Sequence, residues 1–220
     1  MSRRFDCQDP TERSRGLDHA TGAIKRGELV VLPTDTVYGI GTDAFSQWSV
    51  ERLLAAKGRG RDMPVPVLVG SPSTLQGVVT DLPESGRALV EAFWPGALTI
   101  VCRQQPSLHW DLGETRGTVA VRMPLHPMAI DLLVATGPMA VSSANKSGSA
   151  PATTCADAEE QFGEAVTVYL DGGPSGAPTP STIVDLTLDP PRVLRAGALP
   201  LEVLREVVPE LEAPGGDGVG

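Results

Sequence analysis

The chain has 220 residues, 41% of them hydrophobic and 20% charged, and its mean hydropathy is −0.02. This composition excludes a collagen, a wholly disordered chain and a membrane bundle, and a chain this long buries about 70% of its unfolded surface, so its core needs no staple. The net charge of −9 is uneven: residues 1–26 carry +2, residues 202–220 carry −4, and the body keeps −7. That balance argues against broad contact with nucleic-acid phosphates but permits a local basic pocket.

Residues 1–11 are expected to be a flexible N-terminal segment, followed by a single domain over 12–208 and a disordered tail at 212–220. A helix is predicted over 12–26, where Leu17, Ala20, Ala23 and Ile24 recur at helical spacing and Gly27 follows as a stop. LVVL at 29–32 reads as a buried strand. Further helices are predicted near 48–57, 83–93, 127–136, 155–162 and 200–208, and strands at 65–69, 97–103, 118–123, 138–142, 166–170, 181–187 and 192–195. Strands outnumber helices, so hairpins must join some neighbours, and the fold class is α/β with a mixed sheet covered by helices. Residues 171–181 read as a Gly/Pro loop.

Cys7, Cys102 and Cys155 are too far apart for a disulfide framework or a metal knuckle, which fits a reducing cytoplasm. No apolar core follows the basic N-terminus and no run approaches the roughly 18 apolar residues of a spanning helix, so neither export nor membrane insertion is expected. Residues 143–147 have Asn145 where a P-loop requires glycine, and Gly39-Ile40-Gly41 lacks the third glycine of a dinucleotide fingerprint. Three histidines at unrelated positions offer no zinc spacing and flank no nucleophile, so no resident metal site is expected.

Several polar segments lie at predicted strand ends, where open sheets hold ligands. Residues 33–41, PTDTVYGIG, concentrate two hydroxyls and a carboxylate after the LVVL strand, although such residues also serve turn chemistry. Lys57-Gly58-Arg59 closes a helix with a mobile point charge and a planar fork, a combination suited to phosphates as well as to a helix dipole. Thr118 and Arg122 share one face of a strand, and an inward Arg needs an anionic partner. Residues 142–148, SSANKSG, and the pair Ser181 and Arg195 complete the set, while WPGALT at 94–99 reads as structural.

In this order, PTDTVYGIG, KGR, WPGALT, RMP, SSANKSG, STIVD and RAG resemble the YrdC-like threonylcarbamoyl-adenylate synthases over about residues 20–200. The resemblance implies a twisted open mixed sheet with helices and a large concave cavity. It also implies a nucleotidyltransferase that combines L-threonine, bicarbonate and ATP, with magnesium accompanying the ATP, into threonylcarbamoyl-AMP and pyrophosphate. That product is the donor for modifying a tRNA adenosine beside the anticodon, a step left to a separate threonylcarbamoyl-transferase enzyme, so tRNA contact here is expected to be weak. By similarity, Lys57 and Arg59 hold phosphates and carry catalysis, Thr118, Ser143, Asn145 and Arg195 complete the ATP site, and Thr36, Arg122 and Ser181 hold threonine. In this scheme the neutral amine of threonine captures carbon dioxide or bicarbonate, and the resulting carbamate attacks the α-phosphorus.

The chain departs from longer relatives at Leu68, where they carry His, and at Met63, where they often carry Asn; short members also lack that His. Three rivals share the fold: a paralogue without synthase activity, a module binding double-stranded RNA in ribosome maturation, and the carbamoyl-handling module of hydrogenase-maturation proteins. Lys57, Arg59, Ser143 and Asn145 together count against the first, the acidic body against the second, and the absence of acylphosphatase and zinc-finger segments against the third.

Overall fold

The structure, a computed structural model, describes residues 2–176 and 179–215. Within these residues ten strands form one sheet: β1 Arg3–Asp6, β2 Val30–Leu32, β3 Gly39–Asp43, β4 Val67–Leu68, β5 Leu98–Arg103, β6 Thr118–Arg122, β7 Met139–Ser143, β8 Val168–Asp171, β9 Thr182–Asp185 and β10 Arg192–Arg195. Their order is β1-β8-β2-β3-β7-β4-β6-β5-β9-β10, with parallel pairs β1–β8, β2–β8, β4–β6 and β5–β9 among antiparallel ones. The expected mixed α/β sheet is therefore present. No helix among the described residues is long and apolar enough to cross a membrane.

Among the described residues, seven α-helices connect and cover the strands: α1 Pro10–Lys25, α2 Gln47–Lys57, α3 Pro72–Val78, α4 Glu84–Phe93, α5 Pro127–Thr136, α6 Cys155–Phe162 and α7 Leu201–Arg205. Their starts follow from local chemistry. The Asp9 carboxylate accepts from the Thr11 and Glu12 amides, and Thr154 and Asp157 form a reciprocal capping box. At the far end of α2, Gly58 adopts the left-handed conformation that stops a helix and brings Arg59 round beside Lys57.

Ala20, Ala23 and Ile24 of α1 and Met128, Ala129, Leu132 and Leu133 of α5 bury one apolar cluster with β2, β7 and β8. A larger cluster packs α2, α4 and α6 with the alternate residues of the strands, including Val31, Ile40, Ile100, Val121 and Tyr169. Strand residues facing opposite ways thus serve two layers of core. Cys102 and Cys155 are buried and Cys7 is partly buried, all three as free thiols, and burial is the main reason their acidities fall, with pKa values pushed up to about 12, 12 and 11.

The structure differs from expectation at several elements. Residues 3–6, placed by sequence in a flexible segment, form β1, which pairs in parallel with β8 and buries Phe5 against α1. Residues 39–43 form β3 at the middle of the sheet, and a Cβ on Gly39 or Gly41 would come within 2.8 or 2.7 Å of the Val141 side chain, so glycine lets β7 lie close. Helix α3 is a further element, started by Ser71 and Pro72. In the expected tail, Arg192 bridges to Glu212, and residues 216–220 lie outside the described residues, as do 177 and 178 of the Gly/Pro loop.

Candidate functional site

Strands from β7 to the β10 edge of the sheet present residues to one concave cavity of about 640 Å³: Thr99 and Val101 from β5, Ala120 and Arg122 from β6, Val141 and Ser143 from β7, Ile183 from β9 and Arg195 from β10. Loops at strand ends add Thr36, Asn145 and Ser181, and the end of α2 adds Lys57 and Arg59. Four cationic side chains line this cavity without a carboxylate among its lining residues, within a chain of net charge −9. Such an arrangement holds anions, because a concave low-dielectric wall concentrates the field of its charges.

Lys57 is only 3% exposed. Its ammonium donates to the Ser143 carbonyl at 2.5 Å and the Asn145 carbonyl at 2.6 Å, tying α2 to the loop after β7. Two of its three protons are thereby fixed, and the third remains for a ligand. Burial, and then the neighbouring Arg59, push its pKa down to about 8. Arg59 donates to the Ser142 hydroxyl at 3.2 Å, while its Nε and the Asn145 Oδ1 are buried polar atoms without a protein partner. An unmet donor and an unmet acceptor at the same end of the cavity suit a polar ligand.

Arg122, on β6, is held on three sides. Its Nε donates to the Gly96 carbonyl at 2.9 Å, one terminal nitrogen to the Thr36 hydroxyl at 2.9 Å and the other to Asp35 at 2.7 Å. Five guanidinium N–H groups less three leaves two, one on each terminal nitrogen, which is the number a carboxylate accepts. Asp35 also accepts from the Leu125 amide, so the acid is fixed as firmly as the base. The Thr34 hydroxyl donates to the Val37 carbonyl at 2.6 Å and must then accept the Thr36 proton across 3.1 Å. Thr36 in turn accepts from Arg122 and keeps one lone pair for a ligand donor.

Arg195 donates to the Ser181 carbonyl at 2.7 Å and to its hydroxyl at 3.2 Å. Burial lowers the pKa of Arg195, and the charges of Arg122 and Arg59 lower it further, a sign that the three forks converge. The close approach depends on Gly197, where a Cβ would lie 2.5 Å from backbone atoms of Pro180 and Ser181. Tyr38, fully buried, donates to the Gly173 carbonyl at 2.5 Å and accepts from the Gly172 amide at 3.1 Å, joining the loop that carries Thr36 to the Gly/Pro loop.

The cavity gathers eight of the residues singled out by sequence: Thr36, Lys57, Arg59, Arg122, Ser143, Asn145, Ser181 and Arg195. Thr118 is not among its lining residues. It shares a strand face with Arg122, but four residues of strand separate them by about 13 Å, and its hydroxyl donates to the Thr115 carbonyl at 2.8 Å. Leu68 and Met63 both line the cavity. Sequence reasoning passed over Thr99 and Gly96 because their segment resembled plain structure. The available signal was the period of two along β5, which puts Thr99 on the same face as Val101.

Residues 22–197 match the Sua5/YciO/YrdC family model, described as telomere recombination. A protein of Mycobacterium tuberculosis named "Putative threonylcarbamoyl-AMP synthase" is 59% identical over 208 residues, covering 94% of this chain and 96% of that protein. The threonylcarbamoyl-AMP synthase of Pyrococcus abyssi is 38% identical over 193 residues, 87% of this chain and 57% of the longer relative. The crystal structure of Pyrococcus abyssi Sua5 complexed with L-threonine superposes with a TM-score of 0.90 at 34% identity, covering 97% of this chain and 62% of that one. The chain belongs to the Sua5/YciO/YrdC family.

Proposed function

We propose that this chain is an L-threonylcarbamoyladenylate synthase, a nucleotidyltransferase that joins L-threonine, bicarbonate and ATP and releases pyrophosphate. The observation that carries the reading is the cavity itself, with four cations, no lining carboxylate, and hydroxyls of fixed direction. The names of the relatives and the threonine complex of the Pyrococcus abyssi protein support threonine and ATP as substrates.

Lys57, Arg59 and Arg195 hold the phosphates, with Ser143 and Asn145 beside them. The charge of ATP, about −4, calls for several cations, and the same groups stabilise the departing pyrophosphate. Arg122 takes the threonine carboxylate on its two unused N–H groups, Thr36 accepts from the amine, and Ser181 supplies a further hydroxyl. Magnesium enters as the ATP complex, and its chemistry is to screen phosphate charge. Among the cavity's residues, the unpartnered Asn145 Oδ1 and the Ser143 hydroxyl are the oxygens beside the phosphate site that would face the ion brought in by ATP.

The threonine amine, neutral when it reacts, adds to carbon dioxide and gives up a proton to solvent, or adds to bicarbonate with loss of water, and either route gives a carbamate. A carbamate oxygen attacks the α-phosphorus as the bond to the β-phosphate oxygen breaks, and pyrophosphate takes that electron pair. Positioning and electrostatics perform the step without a covalent enzyme nucleophile. The product then serves a separate threonylcarbamoyl-transferase, which modifies the tRNA adenosine beside the anticodon.

Pyrophosphate release from Mg–ATP is the direct test, measured with and without L-threonine and bicarbonate and coupled to mass detection of the adduct. Release that depends on both substrates, with threonylcarbamoyl-AMP formed, is expected. Binding of ATP with neither release nor adduct overturns the assignment.

A further inference from the structure

Residues 94–99 make no charged contact with the cavity, yet two hydrogen bonds run from them to the groups assigned to threonine and two more to the residues that directly follow those groups. The Gly96 carbonyl accepts the Arg122 Nε at 2.9 Å, and the Gly96 amide donates to the Met123 carbonyl at 2.8 Å. The Ala97 carbonyl accepts the amide of Thr182, the residue after Ser181, at 3.0 Å. Thr99, 3% exposed, lies 2.7 Å from the Ser181 hydroxyl, oxygen to oxygen. The turn itself is held by the Trp94 indole, which donates to the Leu98 carbonyl at 2.8 Å.

We propose that residues 94–99 are the positioning element of the threonine site and that Thr99 is the side chain that sets the Ser181 hydroxyl. The inference rests on the assignment of Arg122 and Ser181 to threonine. Ser181 accepts from Arg195 at 3.2 Å, and when it also accepts the Thr99 proton both of its lone pairs are filled. Its own proton then points into the cavity, where a substrate oxygen can take it. Without the Thr99 hydroxyl the Ser181 rotor loses its reference and swings on Arg195 alone. The same segment fixes the Arg122 fork through Gly96, so one turn sets both ends of the amino acid. Because Thr99 acts through Ser181, it is a positioning residue rather than a catalytic one.

The experiment compares Thr99→Val, Thr99→Ser and Ser181→Ala in the full chain, reading KM for threonine, KM for ATP and kcat from pyrophosphate release, with threonine affinity by calorimetry. Valine keeps the β-branched shape and the strand position while removing the hydroxyl; serine keeps the hydroxyl. Thr99→Val is expected to raise the threonine KM about three- to tenfold, the span of one neutral hydrogen bond, with the ATP KM within about twofold of the starting value. Thr99→Ser is expected to restore most of the loss, and Thr99→Val added to Ser181→Ala to cost little more. If Ser181→Ala raises the threonine KM but Thr99→Val does not, the role of Thr99 is overturned while the assignment of Ser181 stands. If Ser181→Ala leaves threonine binding unchanged, the assignment of Ser181 falls and this inference with it. Equal increases for threonine and ATP in Thr99→Val, or a serine variant no better than valine, mark a general distortion and also overturn the proposal.

Discussion

Lys57 keeps its ammonium in a buried position without an acidic partner, and its carbonyl contacts explain how it is oriented there. Because burial and Arg59 hold its pKa near 8 instead of its ordinary 10.5, the charge is lost as pH rises through that range. The unfolded chain retains the proton between about 8 and 10.5, so this group makes folding stability rise with pH across that window. ATP affinity moves the other way. Titration of the free protein with Mg–ATP at pH 7 and pH 9 is expected to show weaker binding at pH 9 as the thermal midpoint gains from this group, and Lys57→Met is expected to flatten the affinity change. Arg122→Lys keeps a charge but gives up the fork that reaches Gly96, Thr36 and Asp35 together. A rise of about tenfold or more in threonine KM is expected from steady-state kinetics, with ATP KM little changed. The residue types and their order made most of the cavity legible in sequence. The direction of each proton did not show, because it depends on neighbours such as Thr34 and Thr99 whose partners only the fold brings near.

Elements with strong periodicity, such as α1 and β5, were readable because one face of each is continuously apolar. Strand β3 was not, since Gly39 and Gly41 give no alternation, and what selects glycine there is the approach of Val141 from the neighbouring strand. Strand β1 was hidden for a different reason: RRFD carries a single apolar side chain, and its pairing partner β8 lies more than 160 residues away in sequence. That one side chain is nevertheless well used. Phe5 packs against Leu170 and the bare backbone of α1 at Gly16, where a Cβ would come within 2.9 Å of the Phe5 Cβ. Phe5→Ala is expected to destabilise the protein by about 3 kcal/mol or more in denaturant unfolding, a loss that a freely moving N-terminus would not produce.

Across the whole molecule the net charge is strongly negative, while four cations line the concave cavity. Opposite fields of this kind favour an anion only at short range, and salt screens the rest, with a Debye length of about 10 Å at 0.1 M and about 3 Å at 1 M. The affinity for ATP is therefore expected to fall several-fold between about 0.05 and 0.5 M salt. Threonine, a zwitterion, should respond far less; equal dependence for both ligands would argue that the two do not occupy different ends of the cavity. The three cysteines carry a separate consequence. With pKa values pushed up to about 11 or 12, each is a thiolate less than about one part in a thousand at neutral pH, and two are shut off from solvent. Cys102 and Cys155 are thus shielded from alkylating dyes, so once the partly exposed Cys7 is replaced, a single reporter thiol at the exposed Thr179, introduced as Thr179→Cys, can follow substrate entry with the two buried sulfurs left in place.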